Sequence, residues 1–443
     1  MDFKKHDISN HEVCPWFDGD KIYPQRLHMH IRNQHDFISV VDTKRNYAYH
    51  FLYDVDKGYY EMLSDRECSL FIKSHLPEER RTSNHWGQVL KELNTDDAID
   101  MSMMDSDESI INFKNGILNI KTNKLQPHSP NILSSVQIPC DFRPDLTLKD
   151  APVFSGFLDD LTSGKDELKT ILLEYMGAII SNVKGYKYKK LLILHGAGNT
   201  GKSQLRSLIM DLLGEQNCHS ISLQQLNSRF GPAQISGKRF VGSGEVNSIS
   251  LDDINTIKEL TGGDAINAEF KGKDGFSFKF GGFLWFNCNV LPSFKGDQGE
   301  HVYERFIIVP CNNIIPKEKR DSTILDKMLA EKEAIVSVAV KHFQRTVAEH
   351  TFSEGPIIRA VRRDYQGINN SVHEFVDSQC IIGEGRTRRP VFYREYEAWA
   401  KDNHITNVLG KMAIALTLEQ DYGLSPKRIQ GEFYYPITVK KSA

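Results

Sequence analysis

The run GAGNTGKS, from Gly196 to Ser203, satisfies G-x-x-x-x-G-K-[ST] and lies between an apolar run, LLILH (Leu191 to His195), and an amphipathic stretch, QLRSLIMDLL (Gln204 to Leu213). A strand, a glycine-rich loop and a helix in that order form a phosphate-binding P-loop, which commits this part of the chain to an α/β fold with a parallel sheet. The glycines let backbone N–H groups close around phosphates, and the helix N-terminus adds positive potential. Gly196, Ala197, Gly198, Asn199, Thr200, Gly201, Lys202, Ser203 and Gln204 form the expected cradle for ATP. Lys202 is placed to reach the β- and γ-phosphates, and the Ser203 hydroxyl to ligate Mg²⁺.

A chain of 443 residues, 40% hydrophobic and 26% charged, can bury real cores and is expected to divide into about three domains. No apolar stretch is long enough to span a bilayer, and the start, MDFKKHDISNHEV, lacks the apolar core of a signal peptide. Those features predict a cytoplasmic protein without a membrane partner. The seven cysteines, Cys14, Cys68, Cys140, Cys218, Cys288, Cys311 and Cys380, form no C-x-x-C pair and read as reduced thiols. Net charge is −3, so nucleic acid must be held by local basic patches. Residues 1–145 carry 17 Lys+Arg against 23 Asp+Glu, and residues 352–443 carry 13 against 11, which makes the N-terminal part the weaker electrostatic match to DNA.

In that N-terminal part, Tyr47 to Met62 alternates around Asp56-Lys57-Gly58 and reads as a β-hairpin. IINFKNGILNIKTNKL reads as a second, turning at Lys114-Asn115-Gly116 or near Thr122-Asn123. The acidic run from Asp96 to Ser109 reads as a solvated, mobile loop. His11, Cys14, His28 and His30 are ligands that zinc accepts, although their spacing matches no finger pattern. Asp54-Val55-Asp56 has the carboxylates of a two-metal site, but a carboxylate pair beside a turn ordinarily belongs to the turn.

Downstream of the P-loop, KRFVGSGEVN is a short strand ending in Glu245, the candidate general base that orients or deprotonates an attacking water, and a candidate Mg²⁺ ligand with Ser203. A helix pattern through Leu260 stops at Gly262-Gly263. AINAEFK and FSFKF then form a hairpin turning at Gly272-Lys273-Asp274-Gly275, with Lys271 and Lys273 at its tip and Phe270 beside them, for stacking or packing. FLWFNCN is a buried parallel strand that places Asn289 at its C-terminal edge, where α/β sheets bind ligands. Arg305 precedes a further apolar strand, FIIVP, in position to reach a nucleotide on a neighbouring subunit. Near the C-terminus, VFYREYEAWAKDN and Asn407 to Gly423 read as two helices, followed by a hairpin turning at Gln430-Gly431. Lys411, Lys427 and Arg428 are its candidate DNA-binding cations, and Arg386, Arg388 and Arg389 form a separate basic cluster suited to clamp a phosphate.

The order and spacing of these segments over residues 188–310 resemble the superfamily 3 helicases, in particular the phage, plasmid and poxvirus primase-helicase branch. The resemblance rests on GAGNTGKS as Walker A, the strand ending in Glu245 as Walker B, IKELTGGDAINAEFKGK leading into the DNA-contacting hairpin, FNCNVLP with Asn289 as sensor 1, and YERF with Arg305 as arginine finger. IINFKNGILNIKTNKLQPHSP is similar to the segment that precedes the ATPase core in this branch, and VFYREYEAWAKDNHIT to the winged helix that follows it. Size and layout also resemble the replication initiator-helicases of staphylococcal pathogenicity islands and related mobile elements.

The resemblance implies an α+β N-terminal domain over residues 1–148, an AAA+-like P-loop ATPase over 149–348 and a winged-helix DNA-binding domain over 352–443. It also implies a homo-hexamer that translocates 3′→5′ on single-stranded DNA, binds duplex DNA at a replication origin of a mobile element in a bacterial host, and leaves priming to a separate primase or host replication proteins. One departure stands out: the family often carries two acidic residues at the end of Walker B, and Gly244 occupies one of those positions here. Metal ligation would then rest on Ser203 and waters, or on a carboxylate from elsewhere such as Asp252 or Asp253. An ATP-switched origin-binding or melting protein without processive unwinding is the alternative. A viral assembly or packaging ATPase fits the P-loop but leaves the C-terminal pattern unexplained.

Overall fold

The computed structural model describes residues 16–18, 21–42, 47–95, 98–246, 250–251, 254–294, 299–405 and 408–440. The chain forms two compact units, one of residues 1–145 with 180–183, the other of residues 146–179 with 184–443.

The apolar runs LLILH, FLWFNC and FIIVP become neighbouring strands of the second unit because each is apolar on both faces and can lie inside a sheet covered on both sides. Five parallel strands stand in the spatial order Cys218–Ser220, Phe240–Val246, Phe283–Cys288, Leu191–His195, Phe306–Pro310. Leu192 pairs with Trp285 on one side and Ile307 on the other, so the strand feeding the P-loop runs through the sheet interior. All five strands end at one edge, and the crossing from Phe283–Cys288 to Phe306–Pro310 passes over Leu191–His195. That reversal opens a crevice at the carboxyl edge. Residues Leu191, Ile193, Val241, Leu284, Phe286 and Ile308 fill one shared core.

The expected helix after Ile254 spans Asn255–Gly262 and stops on Gly263, at φ 77°. Ala265–Ala268 and Phe276–Lys279 then pair as an antiparallel hairpin.

Beyond residue 355 the order is helix Pro356–Asn369, helix Ser371–Gln379, strand Cys380–Arg388, helix Arg389–Asp402, helix Lys411–Gln420, and strands Lys427–Ile429 and Glu432–Val439. The last of these lies between the other two in an antiparallel three-stranded sheet. Both central residues of the final turn, Gln430 (φ 49°) and Gly431 (φ 88°), are left-handed, as a two-residue hairpin of this twist requires. The helix expected from Asn407 starts at Lys411, because Gly410 takes an extended N-cap conformation. A separate core of Phe375, Phe392, Tyr396, Leu418, Tyr435 and Ile437 holds this region together.

In the first unit, Tyr47–Asp54 and Tyr59–Leu63 form the expected hairpin within a four-stranded sheet. Both turns considered for the second hairpin are made: Ile110–Phe113, Gly116–Asn119 and Lys124–Gln126 form a three-stranded meander. The acidic run is not a free loop over its described residues, which corrects the expectation. Ile99–Asp100 joins the four-stranded sheet, Met104 is buried, and the Asp105 carboxylate accepts from the Ser135 amide at 2.9 Å. Two methionines and an isoleucine among the acids supply apolar anchors that a charge count overlooks.

Candidate nucleotide and nucleic-acid sites

The P-loop leaves the central strand at the carboxyl edge. Gly196 donates its amide to the Cys288 carbonyl at 3.1 Å and has φ 152°; a Cβ there would stand 2.0 Å from the Cys311 carbonyl oxygen. Gly201 caps the helix Lys202–Leu213 at φ 98°, and a Cβ there would press on the Phe157 ring at 2.9 Å. Both positions are therefore closed to other residues. Ala197, Gly198 and Asn199 are exposed, Thr200 and Lys202 are buried, and Ser203 and Gln204 stand in the first turn of the helix, Ser203 exposed.

Lys202 is only 7% exposed, yet its charge is well served. Its Nζ donates to the Gly196 and Ala197 carbonyls at 2.7 and 2.6 Å and lies 3.3 Å from Thr200 Oγ1 and 3.5 Å from Asn289 Oδ1. Neutral carbonyls are weaker acceptors for an ammonium than phosphate oxygens, so the cradle holds its cation in a form an anion can take over. The donor set, exposed loop backbone, buried lysine and helix-terminal hydroxyl, fits a magnesium-bound triphosphate.

Asn289 follows the strand Phe283–Cys288 and is exposed at the same edge. His195, which motif reading passed over, is the last residue of the central strand, directly before Gly196. Burial first, and then the Lys202 charge, push its pKa down, against a raising hydrogen bond to the Asn289 backbone. It is a neutral imidazole at physiological pH. Its position directly before the first glycine was the available signal.

The backbone of Glu245 belongs to the strand Phe240–Val246. Pairing runs Ser243 with Phe286 and then Val246 with Cys288, so Gly244 and Glu245 together oppose Asn287 in a bulge. Bulges re-aim side chains next to active sites. The Glu245 side chain, and Asp252 and Asp253 altogether, lie outside the described residues. Opposite the bulge, Asn287 is fully buried and accepts from Trp285 Nε1 at 2.9 Å.

Arg305 immediately precedes Phe306–Pro310 and is half-buried against its own chain. Its Nη1 donates to Thr261 Oγ1 at 2.7 Å and lies 3.4 Å from the Lys258 carbonyl, so it caps the C-terminal turn of the helix Asn255–Gly262. That helix leads directly into the hairpin. Lys271 and Lys273 are exposed in the loop joining the two hairpin strands, which tightens through the Lys273 amide to the Phe270 carbonyl at 3.0 Å. Phe270 stacks on Phe276 with ring centroids 5.7 Å apart, which makes it a packing residue here.

Lys411, Lys427 and Arg428 are exposed, as are Arg386 and Arg388. Arg389 Nε donates to Tyr393 Oη at 2.8 Å, and the Lys411 ammonium lies 6.0 Å from the same ring. The expected basic residues thus fall into neighbouring sets around aromatic rings.

Elsewhere the alternatives lose ground. Asp54 accepts from the Lys57 amide at 2.9 Å and pairs with the Lys57 ammonium at 3.2 Å, the bonding of a turn. His28 is buried, His30 lies against Trp16 with centroids 3.9 Å apart, and His11 and Cys14 lie outside the described residues. Among the described residues, no group of three or more His, Cys, Asp or Glu is placed to hold a metal, and no helix is long and apolar enough to cross a membrane. The six described cysteines are buried and form no disulfide; burial pushes the Cys288 and Cys311 thiols beside the glycine-rich loop up to about 12.

Residues 27–163 match the family described as D5 N terminal like, and residues 194–305 a family of unknown function, DUF5906. The uncharacterized mitochondrial protein ymf21 of Marchantia polymorpha is 26% identical over 154 residues, 32% of this chain and 84% of that protein. The putative helicase L207/L206 of Acanthamoeba polyphaga mimivirus is 22% identical over 338 residues, 68% of this chain; the chain spans 34% of that relative's length. The apo structure of the NrS-1 C-terminal region shares the fold at a TM-score of 0.51 and 11% identity, covering 94% of this chain and 99% of that one. The sequence similarities support a helicase- or primase-like relationship.

Proposed function

We propose that this chain is an ATP-dependent DNA helicase and replication initiator of a mobile element, acting as a homo-hexameric ring that moves 3′→5′ along single-stranded DNA. The observation that carries the reading is the convergence of Lys202 and Asn289 at the carboxyl edge of a parallel sheet, beside the bulged strand of Glu245. The similarity to a putative viral helicase agrees with it.

Bound Mg²⁺·ATP supplies the γ-phosphoryl group that passes to water. The amides of Gly196 to Gly201 hold the phosphate chain, Lys202 transfers its charge from loop carbonyls to the β- and γ-oxygens, and Ser203 contributes a metal ligand. Glu245 orients the attacking water and takes its proton, while Asn289 hydrogen-bonds at the γ-phosphate end. Arg305 completes the neighbouring subunit's site, a reading that requires it to exchange its Thr261 bond for the neighbour's phosphate. Because Arg305 caps the helix that precedes the Lys271 and Lys273 hairpin, such an exchange would pass directly to a DNA-gripping element. The C-terminal region reads as a winged helix that contacts DNA.

Strand displacement tests the proposal. Purified chain with ATP and Mg²⁺ is expected to unwind a duplex carrying a 3′ tail and to leave a 5′-tailed duplex intact. Nucleotide-dependent DNA binding without displacement of either substrate would establish the switch-type initiator instead.

A further inference from the structure

In a helix-turn-helix, the second helix is the one expected to enter DNA, here Lys411–Gln420. Its surface is wrong for that role. Met412 is 75% exposed and Leu416 48%, one turn apart on the same side, and Lys411 is the sole cation among its ten residues. Phosphate recognition requires positive charge, and this helix presents mainly apolar surface.

The cations collect on the adjoining sheet. Arg388 and Lys427 stand directly opposite Tyr434 from the two flanking strands, so the three side chains share one face. Tyr435 and Ile437 are buried in the core, which places Tyr434 on the face turned away from it. Arg386 lies over the Tyr434 ring at 5.5 Å. Arg428 and Phe433, one position along and 6.0 Å apart, stand on the opposite face by the two-residue alternation and are not part of this set. Cations around accessible aromatic rings are the composition that grips single strands, phosphates on the charges and bases on the rings. The opposing charge within this set is Glu432, paired with Arg388 at 2.6 Å with both side chains about half exposed. Such a surface pair is weak and exchangeable for a phosphate.

We infer that the outer face of the C-terminal sheet, Arg386, Arg388 and Lys427 around Tyr434, is the single-stranded DNA-binding surface of this region, and that the helix Lys411–Gln420 is not. The inference rests on the proposed function and moves its DNA contact in this region from the helix to the sheet face.

The test is equilibrium binding of a dT oligonucleotide and a duplex of equal length to the full chain over a salt series. The triple variant Arg386→Ala, Arg388→Ala, Lys427→Ala is expected to lose at least about tenfold in single-strand affinity and to flatten the salt dependence by roughly two in slope. Lys411→Ala is expected to change affinity less than about twofold. Tyr434→Leu is expected to cost single-strand affinity roughly fivefold or more, and duplex affinity little. Glu432→Gln, which frees Arg388, is expected to tighten binding; that gain separates a direct contact from a folding defect, as does an unchanged melting temperature of the triple variant. Wild-type affinity in the triple variant, or a larger loss from Lys411→Ala, overturns the inference and leaves the helicase reading intact. Equal losses on duplex in Tyr434→Leu overturn the single-strand assignment. Absence of DNA binding by the wild-type chain overturns both readings.

Discussion

The ammonium of Lys202 and the side-chain oxygen of Asn289 lie 3.5 Å apart, although 87 residues separate them in the chain. One closes the glycine-rich loop and the other follows the adjacent parallel strand Phe283–Cys288, so both stand where the proposed nucleotide would place its γ-phosphate. Lys202→Ala is expected to abolish nucleotide binding or hydrolysis. Asn289→Ala is expected to leave binding near wild type while slowing turnover, because the P-loop backbone remains. Glu245→Gln is likewise expected to bind ATP and turn it over slowly, by roughly 10²-fold or more for loss of a general base. Fluorescent-nucleotide titration beside steady-state phosphate release separates these outcomes; wild-type turnover in Glu245→Gln removes that residue from the site.

The hairpin tip carries Lys271 and Lys273 exposed to solvent. Substituting both by alanine is expected to abolish DNA-stimulated ATP hydrolysis and strand displacement, with the melting temperature within a degree or two of wild type, since exposed loop substitutions change stability by about 0.5 kcal/mol or less. Normal unwinding by this double variant places the DNA path elsewhere.

Arg305 caps the helix Asn255–Gly262 of its own chain, and the proposed finger role would serve a neighbouring subunit; one mixing experiment separates the two. Arg305→Ala rings and Lys202→Ala rings are each expected to be nearly inactive, while mixed rings regain hydrolysis wherever an intact P-loop meets an intact Arg305. A finger is worth roughly 10³-fold or more in phosphoryl transfer, well above background. If mixed rings form and recover nothing, the arginine acts as the cap alone.

Burial lowers the pKa of His50, His195 and His342. The unfolded chain therefore takes up their protons first as pH falls through about 6.5, so their contribution to stability is complete above that value and is lost toward the lower folded-state values. Melting temperature is expected to be flat from about pH 7 to 8 and to fall below about 6.5, a slope that His50→Asn with His342→Gln should reduce. A flat profile down to pH 5 in the wild type contradicts this linkage.

Sequence alone determined the strand-loop-helix of residues 191–213, the three buried parallel strands and the hairpin turns at Gly58, Asn115, Gly272 and Gly431. All of these are local: a glycine at a left-handed position, or an apolar run of strand length bounded by turn residues, biases its own conformation before any distant contact forms. Tertiary structure decided what depends on residues distant in the chain. It brought Asn289 to Lys202, turned Arg305 onto Thr261, set His195 beside the P-loop lysine and opened a bulge at Gly244 and Glu245. It also ordered the acidic segment through Met104 and moved the C-terminal cations onto a sheet face around Tyr434, leaving Met412 and Leu416 exposed on the helix. Strand order and register decide those outcomes. A pairing shift of one residue would turn every side chain of a strand to the opposite face, and no local pattern encodes which strand becomes its neighbour.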